Sequence, residues 1–179
     1  KDEAQNLYQQ VAETKNPNPF REDARMAAGT IALARGRKQD ALRNYEALAG
    51  ETSKPALKAE ATVRAGMVAV DLQQTEKGKT DKAMAEKALS LLQKGRSLAE
   101  AGKWRAIAEV GLLRLQYQSG AYDKVIAEYK KGEKEIPEEV RAEMMLIVGN
   151  SHRQLGHTKE ADEIYKQLIE KYPDKEEAK

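Results

Sequence analysis

Two histidines, His152 and His157, are the side chains in this sequence best suited to metal binding or proton transfer. They lie five residues apart, whereas two metal ligands on one helical face are separated by four. The chain has no cysteine, and neither histidine has an obvious carboxylate partner that would complete a nucleophilic system. We therefore predict no metal site and no catalytic residue at these positions.

Adjacent carboxylates occur at Glu138 and Glu139 and again at Glu176 and Glu177. Neighbouring residues on a helix point in different directions, and acidic residues at a helix start interact favourably with the helix dipole. The glycines occur singly, and no glycine-rich loop followed by Lys-Ser or Lys-Thr is present. We therefore expect no cofactor, no nucleotide site and no enzymatic activity in this segment.

The segment 77–105 is basic, with eight Lys or Arg against three acids and a balance of +5. It could recruit an acidic partner, but a solvated helix surface is favoured because Trp104 is its only aromatic residue. We expect Trp104 to fill a gap in the core and not to be an exposed anchor. Since the whole chain carries a net charge of only +2, we expect no nucleic-acid partner.

The unbroken apolar runs are short, and residues 144–148 are an example of the longest kind. A membrane-spanning helix needs about 20 apolar residues. We therefore expect no direct membrane insertion by this segment. The chain begins with Lys1 and has no signal-like opening. We expect it to be an excised or processed segment of a longer protein.

Residues 142–173 contain two amphipathic helical patterns and a turn between them. The first pattern carries Gly149, the turn contains Gly156, and the second pattern carries Ala161, Tyr165 and Leu168 before Pro173. Small residues allow two antiparallel helices to approach closely. We expect Gly149 to face Ala161, with Tyr165 filling the space above them.

These spacings resemble the tetratricopeptide repeat, which has small residues at positions 8 and 20, an aromatic residue at 24 and proline at 32. Similar spacing recurs along the chain. The resemblance implies an all-α, right-handed α-solenoid of antiparallel helix pairs, with about nine helices in one segment, 1–179. The predicted units are a second helix of an incomplete repeat at 1–17 and repeats at 22–55, 59–102, 106–139 and 142–175.

Several local details follow from this alignment. Asn18 is expected to cap the next helix, with Pro19 at its first position, and Pro55 opens a later helix. The second repeat has an insertion of about ten residues, because Ala88 and Leu92 follow Gly66 later than the spacing requires. We expect two extended helices there, with a polar turn at 75–81 capped by Thr80.

The third repeat departs from the family at one contact. Leu113 and Val125 replace the small pair, so these two helices should lie further apart than in the other repeats. At the start of the chain, Ala4, Tyr8 and Val11 repeat the spacing of Ala161, Tyr165 and Leu168.

In the family, certain positions of each first helix line the concave face of the superhelix. The carboxylate clamp of chaperone-binding members is not reproduced here, so we do not expect recognition of a chaperone C-terminus. The resemblance implies a partner-binding groove formed by Met26, Thr30, Val63, Met67, Val110, Arg114, Tyr117, Leu146, Asn150 and Arg153.

The predicted function is a non-enzymatic scaffold that binds a peptide or helix of an unidentified protein partner in this groove. The lining is apolar towards Met26 and polar towards Arg153, so the partner should place its acidic end near the arginines. One alternative is an architectural spacer that associates with itself through truncated ends. Another is a regulatory domain fused to an enzyme outside this segment.

The ending Tyr-x-x-Leu-x-x-x-Tyr-Pro occupies residues 165–173. It is similar to repeats in bacterial envelope proteins such as the outer-membrane assembly lipoproteins and the Tol-Pal accessory protein. This resemblance implies a bacterial origin and favours the periplasm or cell envelope over the cytoplasm.

Overall fold

The computed structural model describes residues 2–14, 18–74, 80–100, 102–132 and 136–178. Within these ranges lie nine α-helices and a terminal 3-10 helix, which confirms the prediction of an all-α chain built from about nine helices. The helices are α1 (Asp2–Glu13), α2 (Arg21–Ala34), α3 (Lys38–Glu51), α4 (Pro55–Leu72), α5 (Lys82–Leu98), α6 (Lys103–Gln118), α7 (Tyr122–Gly132), α8 (Glu138–Gln154) and α9 (Thr158–Lys171), and the 3-10 helix is Glu176–Ala178.

The packing contacts divide the chain into two compact units, Lys1–Glu100 and Ala101–Lys179, here called the N-terminal and C-terminal units. In the N-terminal unit each helix from α1 to α5 packs against the next one along the chain. Alanine occupies many of the buried contact positions, including Ala28, Ala32 and Ala41. These small side chains let consecutive helices pack closely.

The tyrosine at repeat position 24 lies directly on the glycine at position 8 of the preceding helix. A Cβ added to Gly149 would be 2.6 Å from Cε1 of Tyr165, and a Cβ added to Gly29 would be 2.7 Å from Cε1 of Tyr45. The closest contacts of Gly149 are therefore with the ring of Tyr165, which the sequence prediction placed above the Gly149–Ala161 pair. The glycine makes room for the aromatic ring, which needs more space than the alanine methyl group.

The pair α4 and α5 uses two such contacts. A Cβ added to Gly66 would be 2.8 Å from Cγ of Leu92, and one added to Gly95 would be 2.6 Å from Cγ2 of Val63. Leu92 thus takes the place that Tyr45 has in the previous pair, which supports the predicted alignment across the insertion. At 18 and 17 residues, α4 and α5 are longer than the 14-residue helices α2 and α3, as expected.

Two of the predicted helix starts need correction, whereas α4 begins at Pro55 as predicted. The side chain of Asn18 accepts a hydrogen bond from the Phe20 N–H at 2.9 Å, and α2 begins at Arg21. This bond closes a turn before the helix, so Pro19 lies outside it. The cap of α5 is Asp81, which accepts from the Met84 N–H at 3.1 Å, and not Thr80.

The rest of the predicted turn before α5, residues 75–79, lies outside the described residues. On either side of it, Gln74 and Thr80 form an isolated antiparallel bridge. The Asp81 N–H also donates to the Gln73 carbonyl oxygen at 2.7 Å. These bonds bring the end of α4 close to the start of α5.

In the C-terminal unit α8 contacts α6, α7 and α9. Leu113 and Val125 are buried in one apolar cluster with Val148, and α6 packs more extensively on α8 than on α7. This arrangement agrees with the expected wider separation of α6 and α7. The α8–α9 turn closes at Gly156, whose φ of +77° is a left-handed conformation that favours glycine.

Candidate protein-binding surface

The structure distributes the ten predicted groove residues among three environments. Thr30 and Arg153 are exposed, and Val63 and Val110 are buried. The remaining residues are half-buried, namely Met26, Met67, Arg114, Tyr117, Leu146 and Asn150. Of these ten residues, Met26, Thr30, Val63 and Met67 belong to the N-terminal unit and the other six to the C-terminal unit.

Val63 and Val110 do not belong to an accessible surface, which corrects their predicted role. Val63 is 0% exposed because Gly95 lets α5 approach it closely, and Val110 is 1% exposed in the cluster that contains Leu113. A partner could contact either valine only after the helices had separated. Their burial follows from packing against neighbouring helices, which the repeat position alone does not reveal.

Two of the predicted groove residues, Thr30 and Asn150, form hydrogen bonds with the tyrosines whose rings pack on a glycine. The Tyr165 hydroxyl donates to Oδ1 of Asn150 at 2.8 Å, and the hydroxyls of Thr30 and Tyr45 are 3.2 Å apart. Both polar residues directly follow the glycine of the same contact, Gly29 or Gly149 in the sequence. Thr30 and Asn150 therefore have a positioning role within the fold, which the sequence prediction missed although their spacing signals it.

Arg114 is part of an ion pair between α6 and α8. Its Nη2 lies 2.5 Å from Oε1 of Glu143, which is half-buried. The expected role of Arg114 as a binder of a partner carboxylate is thus changed, because its charge is already compensated within the unit. The pair instead fixes the two helices that carry the predicted groove residues.

Tyr165 lies close to residues from both of these helices. Burial raises the pKa of its hydroxyl, while the positive charge of Arg153 on α8 acts in the opposite direction and the charge of Tyr117 on α6 adds to the rise. The ring of Tyr117 also packs against Tyr122, with centroids 5.3 Å apart. Tyr165 is thus hydrogen-bonded to Asn150 and lies within electrostatic range of Tyr117 and Arg153.

We call this part of the C-terminal unit the α6–α8 surface. It combines half-buried apolar and aromatic side chains with an exposed guanidinium group. Such a surface suits a partner that offers an apolar side chain and a carboxylate. It consists of Arg114, Tyr117, Leu146, Asn150 and Arg153.

His152 on α8 is a buried packing residue, and its ring contacts His157 at a centroid distance of 5.6 Å. Its Nδ1 is buried and has no hydrogen-bond partner among the residues that the structure describes. Burial lowers the pKa of His152, and the positive charges of Lys130 and His157 lower it further, whereas Glu160 opposes the shift. The folded C-terminal unit therefore favours neutral His152.

This environment predicts acid sensitivity of the C-terminal unit. The unfolded chain binds a proton at His152 more readily than the folded chain, so stability should fall as the pH drops through about 6.5. Urea unfolding followed by the fluorescence of Trp104, the single tryptophan, at about pH 7.5 and pH 5.5 measures this loss. His152→Gln should reduce the pH dependence, whereas His157→Gln at the exposed neighbour should change it little. Equal pH dependence in the wild type and His152→Gln would contradict the assignment.

The described residues show no group of three or more His, Cys, Asp or Glu that could hold a metal ion. No helix in the described ranges has the length and apolar character needed to cross a membrane. Trp104 is half-buried, and Nζ of Lys103 lies 5.3 Å from its ring centroid. Trp104 therefore serves neither as a fully buried core residue nor as a fully exposed anchor.

Helices that pack sequentially in pairs, with a tyrosine or leucine side chain on a glycine in the pairs α2–α3, α4–α5 and α8–α9, define the class of helical-repeat proteins. Within that class, the family model of the tetratricopeptide repeat matches residues 143–175, which include most of α8 and all of α9. This match confirms the predicted resemblance for the last repeat. Searches of curated proteins and of solved structures find no match to the chain.

Proposed function

We propose that this protein is a non-enzymatic interaction scaffold and that its α6–α8 surface binds a peptide or helix of a partner protein. The match of residues 143–175 to the tetratricopeptide repeat supports a protein-interaction role, since such repeats commonly bind proteins and are usually non-catalytic. Helix α8 supplies three of the five surface residues, Leu146, Asn150 and Arg153. All three lie within the matched segment.

The observation that carries the proposal is the position of Arg153. Its side chain is exposed at the end of α8, near the hydrogen bond between Tyr165 and Asn150. The hydrogen bond fixes the ring and the amide, so a partner that binds here meets a rigid surface and loses little entropy in ordering it. Arg153, rather than the already paired Arg114, would hold the carboxylate of the partner.

Apolar contacts would supply affinity next to this charge. Leu146 and Tyr117 are half-buried, so each keeps part of an apolar side chain accessible. Burial of that area contributes about 25 cal/mol per Å², while the arginine contributes orientation. We infer a partner segment with an aliphatic or aromatic side chain close to an Asp, a Glu or a C-terminal carboxylate.

In the N-terminal unit, Met26 and Met67 are half-buried and Thr30 is exposed. Methionine side chains are flexible and polarizable, which suits them to apolar partners of varied shape. We propose that these residues form a second, less polar contact surface on this unit.

Charge reversal at Arg153 tests the proposal. Arg153→Glu should lower the affinity for a captured partner about tenfold, because one charge-assisted hydrogen bond is lost and repulsion is added. Folding should be preserved, since the side chain is exposed. The matched control is Lys166→Glu, an equal charge change at an exposed site on α9.

The wild type, Arg153→Glu and Lys166→Glu are each used to capture partners from a cell lysate, and the captured amounts are compared. The enriched partner is then titrated against each of the three proteins. Loss of capture with Arg153→Glu and retention with Lys166→Glu would support the α6–α8 surface. Equal capture by all three proteins would exclude this surface and favour the architectural alternative. Equal loss with both variants would indicate a general effect of charge.

A further inference from the structure

The ion pair between α6 and α8 lies on the same strip of α8 as the proposed binding residues. Glu143, Leu146, Asn150 and Arg153 follow one another at intervals of three or four residues, which places them on one side of the helix. Glu143 and Arg153 are therefore about 15 Å apart along the helix axis. The strip has an acidic end at Glu143 and a basic end at Arg153.

The acidic end is engaged within the C-terminal unit. Nη2 of Arg114 on α6 lies 2.5 Å from Oε1 of Glu143, and that oxygen atom is buried. The two side chains nevertheless keep 36% and 25% of their surface exposed, in that order. A segment that binds along the strip would therefore meet both charges of the pair.

The basic end is accessible, because Arg153 is exposed in the last turn of α8. At physiological ionic strength, exposed charges interact strongly only within a Debye length of about 8 Å. The two ends of the strip are separated by about twice that distance. Arg153 and the ion pair therefore act on different parts of a bound segment.

A carboxylate of a partner gains different amounts at the two ends. At Arg153 it meets a positive charge and can accept a charge-assisted hydrogen bond. At the ion pair it would meet Arg114 together with the carboxylate of Glu143, whose repulsion offsets the attraction. The strip therefore favours a segment with one acidic residue and disfavours a second acidic residue at the other end.

We propose that Glu143 determines which partner segments the α6–α8 surface accepts, because it occupies Arg114 and excludes a second carboxylate. The preferred ligand is a peptide segment with one carboxylate at Arg153 and an apolar side chain against Leu146. At the ion pair this segment carries a neutral or basic residue. The inference rests on the proposed binding at the α6–α8 surface and adds the specificity-determining residue.

Selection from a phage-displayed library of short random peptides, with the full chain as bait, tests this role. The wild type should enrich peptides that combine an apolar residue with one acidic residue. Glu143→Gln should raise the share of peptides with a second acidic residue about fivefold, the upper range for an exposed charge pair. Arg114→Gln should shift the selection in the opposite direction, towards basic peptides, because it leaves the charge of Glu143 uncompensated.

The opposite shifts distinguish a selectivity role from a purely structural one. If the ion pair only held α6 against α8, both variants would weaken binding without changing the charge of the selected peptides. Arg114→Lys keeps the positive charge and should retain the wild-type preference. Circular dichroism checks that each variant keeps the helical content of the wild type. Each variant has its own expected result, so loss of folding in one leaves the other as the test.

Titration of a selected peptide by fluorescence anisotropy separates the outcomes. Binding that is weakened by Arg153→Glu, together with the opposite charge shifts, would support the role of Glu143. Binding that is weakened by Arg153→Glu, with the same charge preference in the wild type, Glu143→Gln and Arg114→Gln, would overturn this role alone. Failure to enrich any peptide, or equal binding to Arg153→Glu and the wild type, would overturn the α6–α8 surface and this inference with it.

Discussion

Replacement of Tyr45 with alanine is expected to lower the free energy of unfolding of the N-terminal unit by about 3–5 kcal/mol, the range for buried aromatic residues. The ring of Tyr45 is 0% exposed and lies on Gly29, with the guanidinium carbon of Arg64 at 5.8 Å from its centroid. Truncation removes these contacts and leaves a cavity between α2, α3 and α4. It also removes the hydroxyl that meets Thr30.

Hydrogen exchange resolved along the chain measures this loss, since protection of α2 to α4 should fall. The matched control is Tyr8→Ala, which removes the same side chain from an exposed position with related spacing. That substitution should change stability by less than about 1 kcal/mol. Similar losses for the two variants would contradict the covering of Tyr45 by α2.

Alanine in place of Gly29 is expected to destabilise the same unit by about 1–3 kcal/mol through overpacking. In an open helix the change would add up to about 1 kcal/mol of stability, because alanine is the better helix former. Here the new Cβ would be 2.7 Å from Cε1 of Tyr45, and the buried ring has little room to move. The steric term therefore outweighs the helix propensity.

Gly50 provides the control for this second prediction. It lies in α3, and a Cβ added to it would meet no atom within 4 Å. Gly50→Ala should be neutral or stabilising, and urea unfolding of both variants gives the comparison. The effects of Gly29→Ala and Tyr45→Ala should be non-additive, since the smaller side chain at 45 removes the collision. A stabilising Gly29→Ala would show that α2 and α3 are further apart than the structure has them.

The spacing of small residues and tyrosines predicted the α2–α3 and α8–α9 pairs because the glycine and the ring that meet lie within one repeat. Gly29 with Tyr45 and Gly149 with Tyr165 lie in adjacent helices, so a local pattern identifies the elements that meet. The side-chain atom that contacts each glycine was less predictable than the helix pair. The ring of Tyr165 makes the closest contacts with Gly149, and these contacts depend on the rotation of both helices.

The candidate surface was harder to predict because exposure depends on packing between repeats. Val110 occupies a groove position in the resemblance, yet its neighbours in the cluster of α6 to α8 bury it. The pair of Arg114 with Glu143 also joins two repeats. Neither the burial nor the ion pair has a signature within a single 34-residue pattern. The predicted bacterial envelope location concerns the cell and not the fold, and it stays a prediction.

Site-specific photo-crosslinking detects protein binding at the α6–α8 surface itself. A photoreactive phenylalanine derivative replaces Gln154, an exposed residue next to Arg153, and in a second protein it replaces Lys166 on α9. We expect a crosslinked partner protein from position 154 that is lost with Arg153→Glu and is absent from position 166. Crosslinks of equal yield from both positions, or crosslinks from 154 that persist with Arg153→Glu, would contradict it.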